Sequence, residues 1–214
     1  PYIHSKINRL GSAMHQEKAC IFFNRALSIL KKSQNEAQFA YLCGFICHFI
    51  LDSNCHGYIN IVMEETKLTH FEIETELDRD FMLKDDRDPL RTHLTDHILI
   101  NDRILNTIEP FFEASKKDLK KSLKGMKFYD HLLVAPQLYK RGLIYFVLLI
   151  SFTYKRFQGF IVNYRANKKI IPYINYLEDL FNKSIDESII CIYDFIDALK
   201  NNNSLSKRFN VNYK

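Results

Sequence analysis

Residues 36–56 read EAQFAYLCGFICHFILDSNCH, and this stretch decides the fold of the chain. Apolar side chains recur in it every three or four residues and on almost every face: Phe39, Leu42, Phe45, Ile46, Phe49 and Ile50. That period is typical of an α-helix, and a helix that is apolar nearly all round is usually surrounded by other helices. The stretch therefore predicts a central helix of an all-α bundle.

The helical period recurs through the rest of the chain. Only six Gly and five Pro occur among 214 residues, so few positions interrupt helices. We predict further helices at residues 16–31, 69–81, 94–108, 113–123, 138–164 and 185–199, with Thr69 and Glu72 as a capping box. The predicted fold is a compact multi-helix bundle, with one domain over residues 1–200 and a frayed tail over 201–214.

Composition limits the class of protein. Apolar residues make up 47% of the chain and charged residues 26%, which is typical of a soluble domain with one sizeable core. The net charge of +5 is mild, and the densest basic run, Lys116 to Lys124, is predicted to be a solvated helix face. No base-stacking aromatic residues interleave with that run, so we expect no specific nucleic-acid module.

The longest apolar run and the cysteines bear on location. Because a membrane span needs about 20 apolar residues, the shorter run Leu143 to Phe152 predicts a buried helix and no transmembrane segment. Cys43 and Cys47 are predicted to be buried free thiols, and free thiols favour a cytoplasmic location. The chain begins at Pro1 rather than Met, so we expect a truncated N-terminus, and a preceding signal peptide would make the protein secreted.

Metal-ligand side chains are concentrated between positions 48 and 74: His48, Asp52, His56, His70 and Glu74. His48 and Asp52 are four residues apart, as are His70 and Glu74, so each pair lies on one face of a helix. Zinc accepts imidazole nitrogen and carboxylate oxygen, and neighbouring ions can act together on a phosphodiester. An unpaired Asp52 in an apolar helix would be costly, so the pattern predicts a metal site rather than chance histidines.

A family resemblance rests on these residues. Residues 44–56, GFICHFILDSNCH, resemble the central motif of the bacterial zinc-dependent phospholipase C family, in which the glycine, both histidines and the Asp-Ser pair have this spacing. The family has an HxxxE motif about a dozen residues later, and residues 70–74, HFEIE, resemble it. Upstream, His15 before an apolar helix is similar to a further family histidine. The resemblance covers about residues 11 to 80.

The resemblance implies an α-helical hydrolase with two to three zinc ions. By analogy, one zinc is bound by His15, His48 and Asp52 and a second by His56, His70 and Glu74, with Asp52 and Glu74 as the candidate catalytic carboxylates. Family members cleave the glycerol–phosphate bond of phospholipids with a metal-activated water, so a phospholipid substrate and transient contact with a membrane surface are expected. A fungal single-strand nuclease family is similar in fold and cluster, so the broader expectation is a phosphodiester.

Alternatives stay open at this level. The family has an Asp upstream of the position of His15, whereas no Asp or Glu lies between Pro1 and His15 here. We expect that truncation removed this Asp. The alternative is a helical metal-binding or structural protein with a partial, inactive cluster, which the missing Asp favours and the intact set His56, His70 and Glu74 opposes. A di-iron bundle is a further alternative, although the ExxH repeats of such bundles are absent. His93 and His97 are also four residues apart, but we predict that they lie at the exposed start of a helix.

Overall fold

The computed structural model describes residues 6–214, which form nine α-helices and three short 3-10 helices and contain no strand. The α-helices are α1 Lys6–Met14, α2 Ala19–Ser33, α3 Glu36–Thr66, α4 His70–Lys84, α5 Asp102–Ile108, α6 Lys116–Leu133, α7 Leu138–Ile150, α8 Tyr154–Phe157 and α9 Ile171–Asn201. The 3-10 helices are Glu109–Phe111, Gln158–Phe160 and Lys207–Asn210. The predicted all-α class is confirmed.

Contacts group these residues into two compact units. Unit 1 contains the described chain up to His56, together with Leu99–Gly125 and Leu180–Lys214. Unit 2 contains Gly57–Ile98 and Met126–Asp179. The single domain over residues 1–200 stays a prediction. Within residues 6–214, no helix has both the length and the apolar character that a membrane span requires.

The core of unit 1 includes the end of the chain. Phe23 of α2 and Phe49 of α3 are fully buried, and both pack against Phe209, with ring centroids 4.9 Å and 5.7 Å apart. Tyr213 is also buried in this core. The predicted frayed tail over 201–214 is therefore wrong. The burial of its aromatic rings stabilises the segment enough to offset the entropy lost in ordering it.

α3 has one buried face and one exposed face. Ile46 and Phe49 are fully buried, whereas Cys47 and His48 are exposed. α3 is therefore only partly covered by other elements, and the prediction of a buried Cys47 is wrong. The exposed face carries His48, so solvent reaches the part of α3 on which the first metal site was predicted.

The start of one helix is set by neighbouring residues, and the start of another is set by a residue far along the chain. α4 begins as predicted, because the Thr69 hydroxyl accepts a hydrogen bond from the Glu72 N–H and the Glu72 carboxylate accepts one from the Thr69 N–H. The predicted helix over 94–108 begins only at α5. The carboxylate of Asp130 accepts hydrogen bonds from the Leu94 N–H and the Thr95 hydroxyl, which stabilises a loop there instead.

The predicted helix over 138–164 is shorter in the structure. α7 ends at Ile150, and Phe152 has a φ of 55°, which a continuing right-handed helix does not permit. The prediction that residues 143–152 are buried is also wrong, because only Arg141 and Ile144 of α7 are buried. α9 starts well before the predicted residue 185, with Pro172 in its first turn, where a missing N–H is tolerated.

Candidate metal centre

His15, His48 and Asp52 converge in unit 1. The Oδ2 atom of Asp52 lies 3.3 Å from Nε2 of His15 and 3.5 Å from Nε2 of His48. One ligand atom from each of the three side chains lies within 4.8 Å of the others. α3 supplies the i, i+4 pair, and the turn after α1 supplies His15. The structure thus brings together the three side chains that the sequence assigned to one ion.

The orientation of His15 is fixed by its own turn. Its Nδ1 lies 2.7 Å from the carbonyl oxygen of Gly11. A carbonyl oxygen can only accept, so Nδ1 carries the proton of that hydrogen bond. The other nitrogen, Nε2, faces Asp52. Histidines that bind metals usually donate their second N–H to an acceptor in this way, which sets the tautomer and the ring orientation.

The distances between these donors fit a zinc ion. With Zn–N and Zn–O bonds of about 2.0–2.1 Å in a tetrahedron, ligand atoms lie about 3.3 Å apart. The two distances to Asp52, 3.3 Å and 3.5 Å, match that edge. Two imidazoles and one carboxylate are also a donor set that zinc prefers. The cluster therefore fits a zinc ion with a fourth position open to a further ligand.

Tyr213 lines the same cluster, which sequence reasoning missed. Its ring centroid lies 5.1 Å from that of His15 and 6.0 Å from that of His48. Burial and the nearby Asp52 carboxylate raise the pKa of the Tyr213 hydroxyl, so it stays protonated. That hydroxyl is buried and has no hydrogen-bond partner among the described residues. A buried hydroxyl without a hydrogen-bond partner, beside three potential metal ligands, fits a site that a bound ligand completes.

His56 lies one turn beyond Asp52 on α3 and belongs to unit 1. Its Nδ1 lies 2.6 Å from the carbonyl oxygen of Tyr213, so Nδ1 again carries the proton of that hydrogen bond. Nearby, the guanidinium of Arg208 donates to Glu187 at 2.7 Å, to the Ser53 hydroxyl at 2.7 Å and to the Asn54 side-chain oxygen at 3.0 Å. This network joins the C-terminal segment to the part of α3 that carries the predicted ligands.

His70 and Glu74 lie in the first turns of α4, in unit 2. The Nε2 atom of His70 is 2.9 Å from Oε1 of Glu74, so the predicted i, i+4 pair is formed. The capping box of Thr69 and Glu72 fixes the start of the helix that carries them. Both side chains are partly exposed, at 31% and 41%, and are accessible to an ion.

A third group of ligand-type residues lies in unit 2 and has no counterpart in the sequence prediction. Nδ1 of His93 is 3.2 Å from Asp130, and Nε2 of His131 is 3.1 Å from Asp96. The two imidazoles stack with centroids 4.0 Å apart and planes 13° from parallel. The in-plane lone pairs of stacked rings lie in separate, nearly parallel planes, so they do not point at one common position. The predicted exposed helix start at His93 is wrong, since that residue lies in a loop that packs on α6.

A comparison with protein families shows which family the chain resembles. The family model described as zinc dependent phospholipase C matches residues 2–126, which is more than half of the chain. The chain belongs to the zinc-dependent phospholipase C family. This confirms the predicted family, and the match includes all six predicted ligands. Searches of the curated proteins and of the solved structures found no match.

Membership of the zinc-dependent phospholipase C family supports zinc as the metal and phospholipase C-type chemistry. The roles of individual residues, and the number of ions, stay predictions. Tyr213 and Arg208 lie outside the matched residues, in the C-terminal segment. Nothing in their local sequence marks them, because their contacts with His15 and α3 are made only in the folded chain.

Proposed function

We propose that this chain hydrolyses the glycerol–phosphate bond of phospholipids in a zinc-dependent reaction, with His15, His48 and Asp52 as ligands of one ion. The observation that carries the proposal is the convergence of these three side chains, with Asp52 Oδ2 at 3.3 Å and 3.5 Å from the two imidazole nitrogens and one ligand atom of each within 4.8 Å of the others. Family membership supports the reaction class. Zinc, when bound, lowers the pKa of a water molecule and offsets negative charge on a phosphodiester.

The chain's own residues prepare this chemistry in separate ways. Gly11 holds His15 in the tautomer that presents Nε2, and the rigid helix fixes the spacing of His48 and Asp52. The Asp52 side chain is only 15% exposed, so its negative charge acts in a partly desolvated setting where attraction to a cation is strengthened. The Tyr213 hydroxyl can donate a hydrogen bond to a ligand in the cluster.

The second set of ligands remains a proposal from sequence. The family motif assigns His56, His70 and Glu74 to a second ion and gives Glu74 a catalytic role beside Asp52. Two observations support it. In unit 1, Nδ1 of His56 is held by the carbonyl oxygen of Tyr213, and in unit 2, His70 and Glu74 lie within hydrogen-bond distance of each other. A phospholipid is proposed over a nucleic acid because the family model is that of a phospholipase.

Metal content and hydrolysis measured on the same samples test the proposal. The wild-type chain, His48→Ala and Asp52→Asn are analysed for zinc and assayed with phosphatidylcholine and with a single-stranded nucleic acid. His97→Ala and Asp186→Asn are matched controls, since both side chains are exposed and lie outside the cluster. We expect both cluster variants to lose zinc and hydrolysis, and both controls to retain them.

Other outcomes have clear meanings. Full zinc content and full hydrolysis in both cluster variants would contradict the assignment of His48 and Asp52. Cleavage of the nucleic acid with no cleavage of the lipid would overturn the proposed substrate class. Zinc binding without hydrolysis of either substrate would favour a metal-binding domain with an inactive cluster.

A further inference from the structure

α7 exposes an unusual amount of apolar surface. Eight large apolar side chains between residues 138 and 152 are at least 48% exposed, and they are Leu138, Tyr139, Leu143, Phe146, Val147, Leu149, Ile150 and Phe152. Phe152, just after the helix, is 98% exposed. Single exposed apolar residues are common, but a contiguous apolar surface of this kind marks an interaction site.

The other face of α7 explains why the helix keeps this orientation. Arg141 and Ile144 are its buried residues. The Arg141 guanidinium donates hydrogen bonds to the carbonyl oxygens of Ala135 and Val162 at 3.2 Å and 2.8 Å, and it lies 3.9 Å from the centre of the Tyr164 ring. A buried arginine held by three partners anchors the inner face. The outer apolar face is therefore presented by a fixed element.

The charge along this part of the sequence has one sign. Between Asp130 and Glu178 the chain has no Asp or Glu and seven basic residues, which are Lys140, Arg141, Lys155, Arg156, Arg165, Lys168 and Lys169. Apart from Lys140 and Arg141, these basic side chains are exposed. Lys155 and Arg156 follow the apolar face directly, three and four residues after Phe152. An apolar patch bordered by cations complements a bilayer, which offers anionic headgroups above an apolar interior.

We propose that α7 and the segment up to Arg156 dock on the surface of a lipid bilayer. Apolar side chains such as Phe146 and Phe152 enter the boundary between headgroups and acyl chains, while Lys155 and Arg156 bind lipid phosphates. The 13 residues of α7 rise about 20 Å, which is less than the thickness of a hydrocarbon core, so the helix lies along the surface. The choice of a bilayer over a protein partner rests on the proposed phospholipase function as well as on charge.

Vesicle binding in the absence of hydrolysis tests the docking surface. The metal-stripped chain is sedimented with vesicles of phosphatidylcholine and phosphatidylglycerol and with vesicles of phosphatidylcholine alone. The apolar variant is Leu143→Gln/Phe146→Gln/Ile150→Gln, and the charge variant is Lys155→Gln/Arg156→Gln. The matched control is Ile185→Gln/Ile189→Gln/Ile190→Gln on α9, whose side chains are 49%, 51% and 61% exposed. Circular dichroism verifies that each variant folds.

We expect the apolar variant to bind both kinds of vesicle about tenfold more weakly or worse. The charge variant should bind the anionic vesicles about tenfold more weakly, and it should bind the phosphatidylcholine vesicles as the wild-type chain does. The control binds as the wild-type chain does. Equal binding by the wild-type chain and the apolar variant would overturn the proposal. So would a wild-type dimer in light scattering that the apolar variant dissociates, with no vesicle binding by either.

A second assay separates this inference from the proposed function. Hydrolysis is measured on a short-chain phosphatidylcholine that is monomeric in solution, for the zinc-loaded wild-type chain and the apolar variant. If docking is the role of α7, both cleave the soluble lipid equally, and only the variant is slow on vesicles. A chain that binds vesicles but cleaves no lipid would sink the proposed function and leave the docking surface standing.

Discussion

The Nδ1 atom of His56 lies 2.6 Å from the backbone carbonyl oxygen of Tyr213, a residue 157 positions further along the chain. This hydrogen bond sets the tautomer of a predicted zinc ligand, and the ring of the same tyrosine packs against His15 and His48. The last residues of the chain therefore contribute to the candidate metal centre, although they provide none of its predicted ligands.

Two substitutions test this role of the C-terminal segment. Tyr213→Phe keeps the ring and the backbone carbonyl but removes a buried hydroxyl that has no partner among the described residues, so we expect unchanged stability or a gain of up to about 1 kcal/mol in the metal-free chain. Phe209→Ala empties a fully buried position and should cost about 3–5 kcal/mol. Urea unfolding followed by circular dichroism measures both. A Phe209→Ala variant as stable as the wild-type chain would show that the segment is not part of the core.

Arg208 stabilises unit 1 through Glu187. Burial by itself would raise the pKa of Glu187, but the Arg208 guanidinium and the Asn54 amide hold that pKa below its ordinary value of 4.5. Arg208→Met keeps the aliphatic stem and leaves the carboxylate without its cation, so we expect a loss of about 2 kcal/mol at neutral pH. Lys207→Met, at an exposed neighbouring position, is the control.

The pH dependence of that loss follows from the lowered pKa of Glu187. A lowered pKa in the folded state adds stability above pH 4.5, and this stability is lost as the pH falls through the folded pKa. The difference between wild type and Arg208→Met should therefore shrink in acid. Urea titrations at neutral and acidic pH measure it. A difference that stays constant would mean that Arg208 acts by packing alone.

His15 links metal binding to pH. The hydrogen bond to Asp52 is the main reason why the pKa of His15 lies above its ordinary value of 6.5, although burial opposes it. In the metal-free chain, the protonated pair contributes stability below pH 6.5 that is lost as the pH rises through the raised pKa. Zinc needs the neutral imidazole, so zinc affinity should fall as the pH is lowered through that pKa, with proton release on binding.

Calorimetry in two buffers of different ionisation enthalpy measures the protons that zinc displaces. We expect His15→Asn, which lacks the imidazole, to bind zinc at least about tenfold more weakly and to release fewer protons. His97→Ala is the control for loss of an exposed histidine. Zinc affinity that is independent of pH between about 8 and 6 would contradict the role of His15.

Gly159 fixes the start of α4, which carries His70 and Glu74. A Cβ atom at Gly159 would lie 2.8 Å from the Glu72 nitrogen and 3.0 Å from the Thr69 hydroxyl oxygen, so Gly159→Ala should cost about 1–3 kcal/mol by displacing the capping box. Gly142→Ala is the matched control, since a Cβ there meets no atom within 4 Å, and it should add about 0.5–1 kcal/mol in the middle of α7. Thermal unfolding compares the two. Equal effects would show that the close contact at Gly159 is relieved without strain.

The helical class, the α4 capping box and the two i, i+4 ligand pairs could be predicted because each depends on residues within a few positions of one another. The His48–Asp52 spacing fixes a shared helix face whatever the rest of the chain does. Helix ends were less predictable. The loop at Leu94 depends on a carboxylate from Asp130, and no local propensity encodes that contact.

The sequence by itself determined the family and predicted the types of metal ligand, since motif spacing on a helix is a local property of the chain. Tertiary structure decided which faces are exposed and what surrounds the ligands. The aromatic rings of Phe209 and Tyr213 look like part of a polar tail in sequence, yet they are buried because α2 and α3 leave apolar surface for them to cover. Likewise, the apolar run of α7 predicts a buried helix from the sequence. In the structure that run is largely exposed, because Arg141 anchors the opposite face of the helix. Burial depends on which partners the fold supplies, and a linear pattern does not contain them.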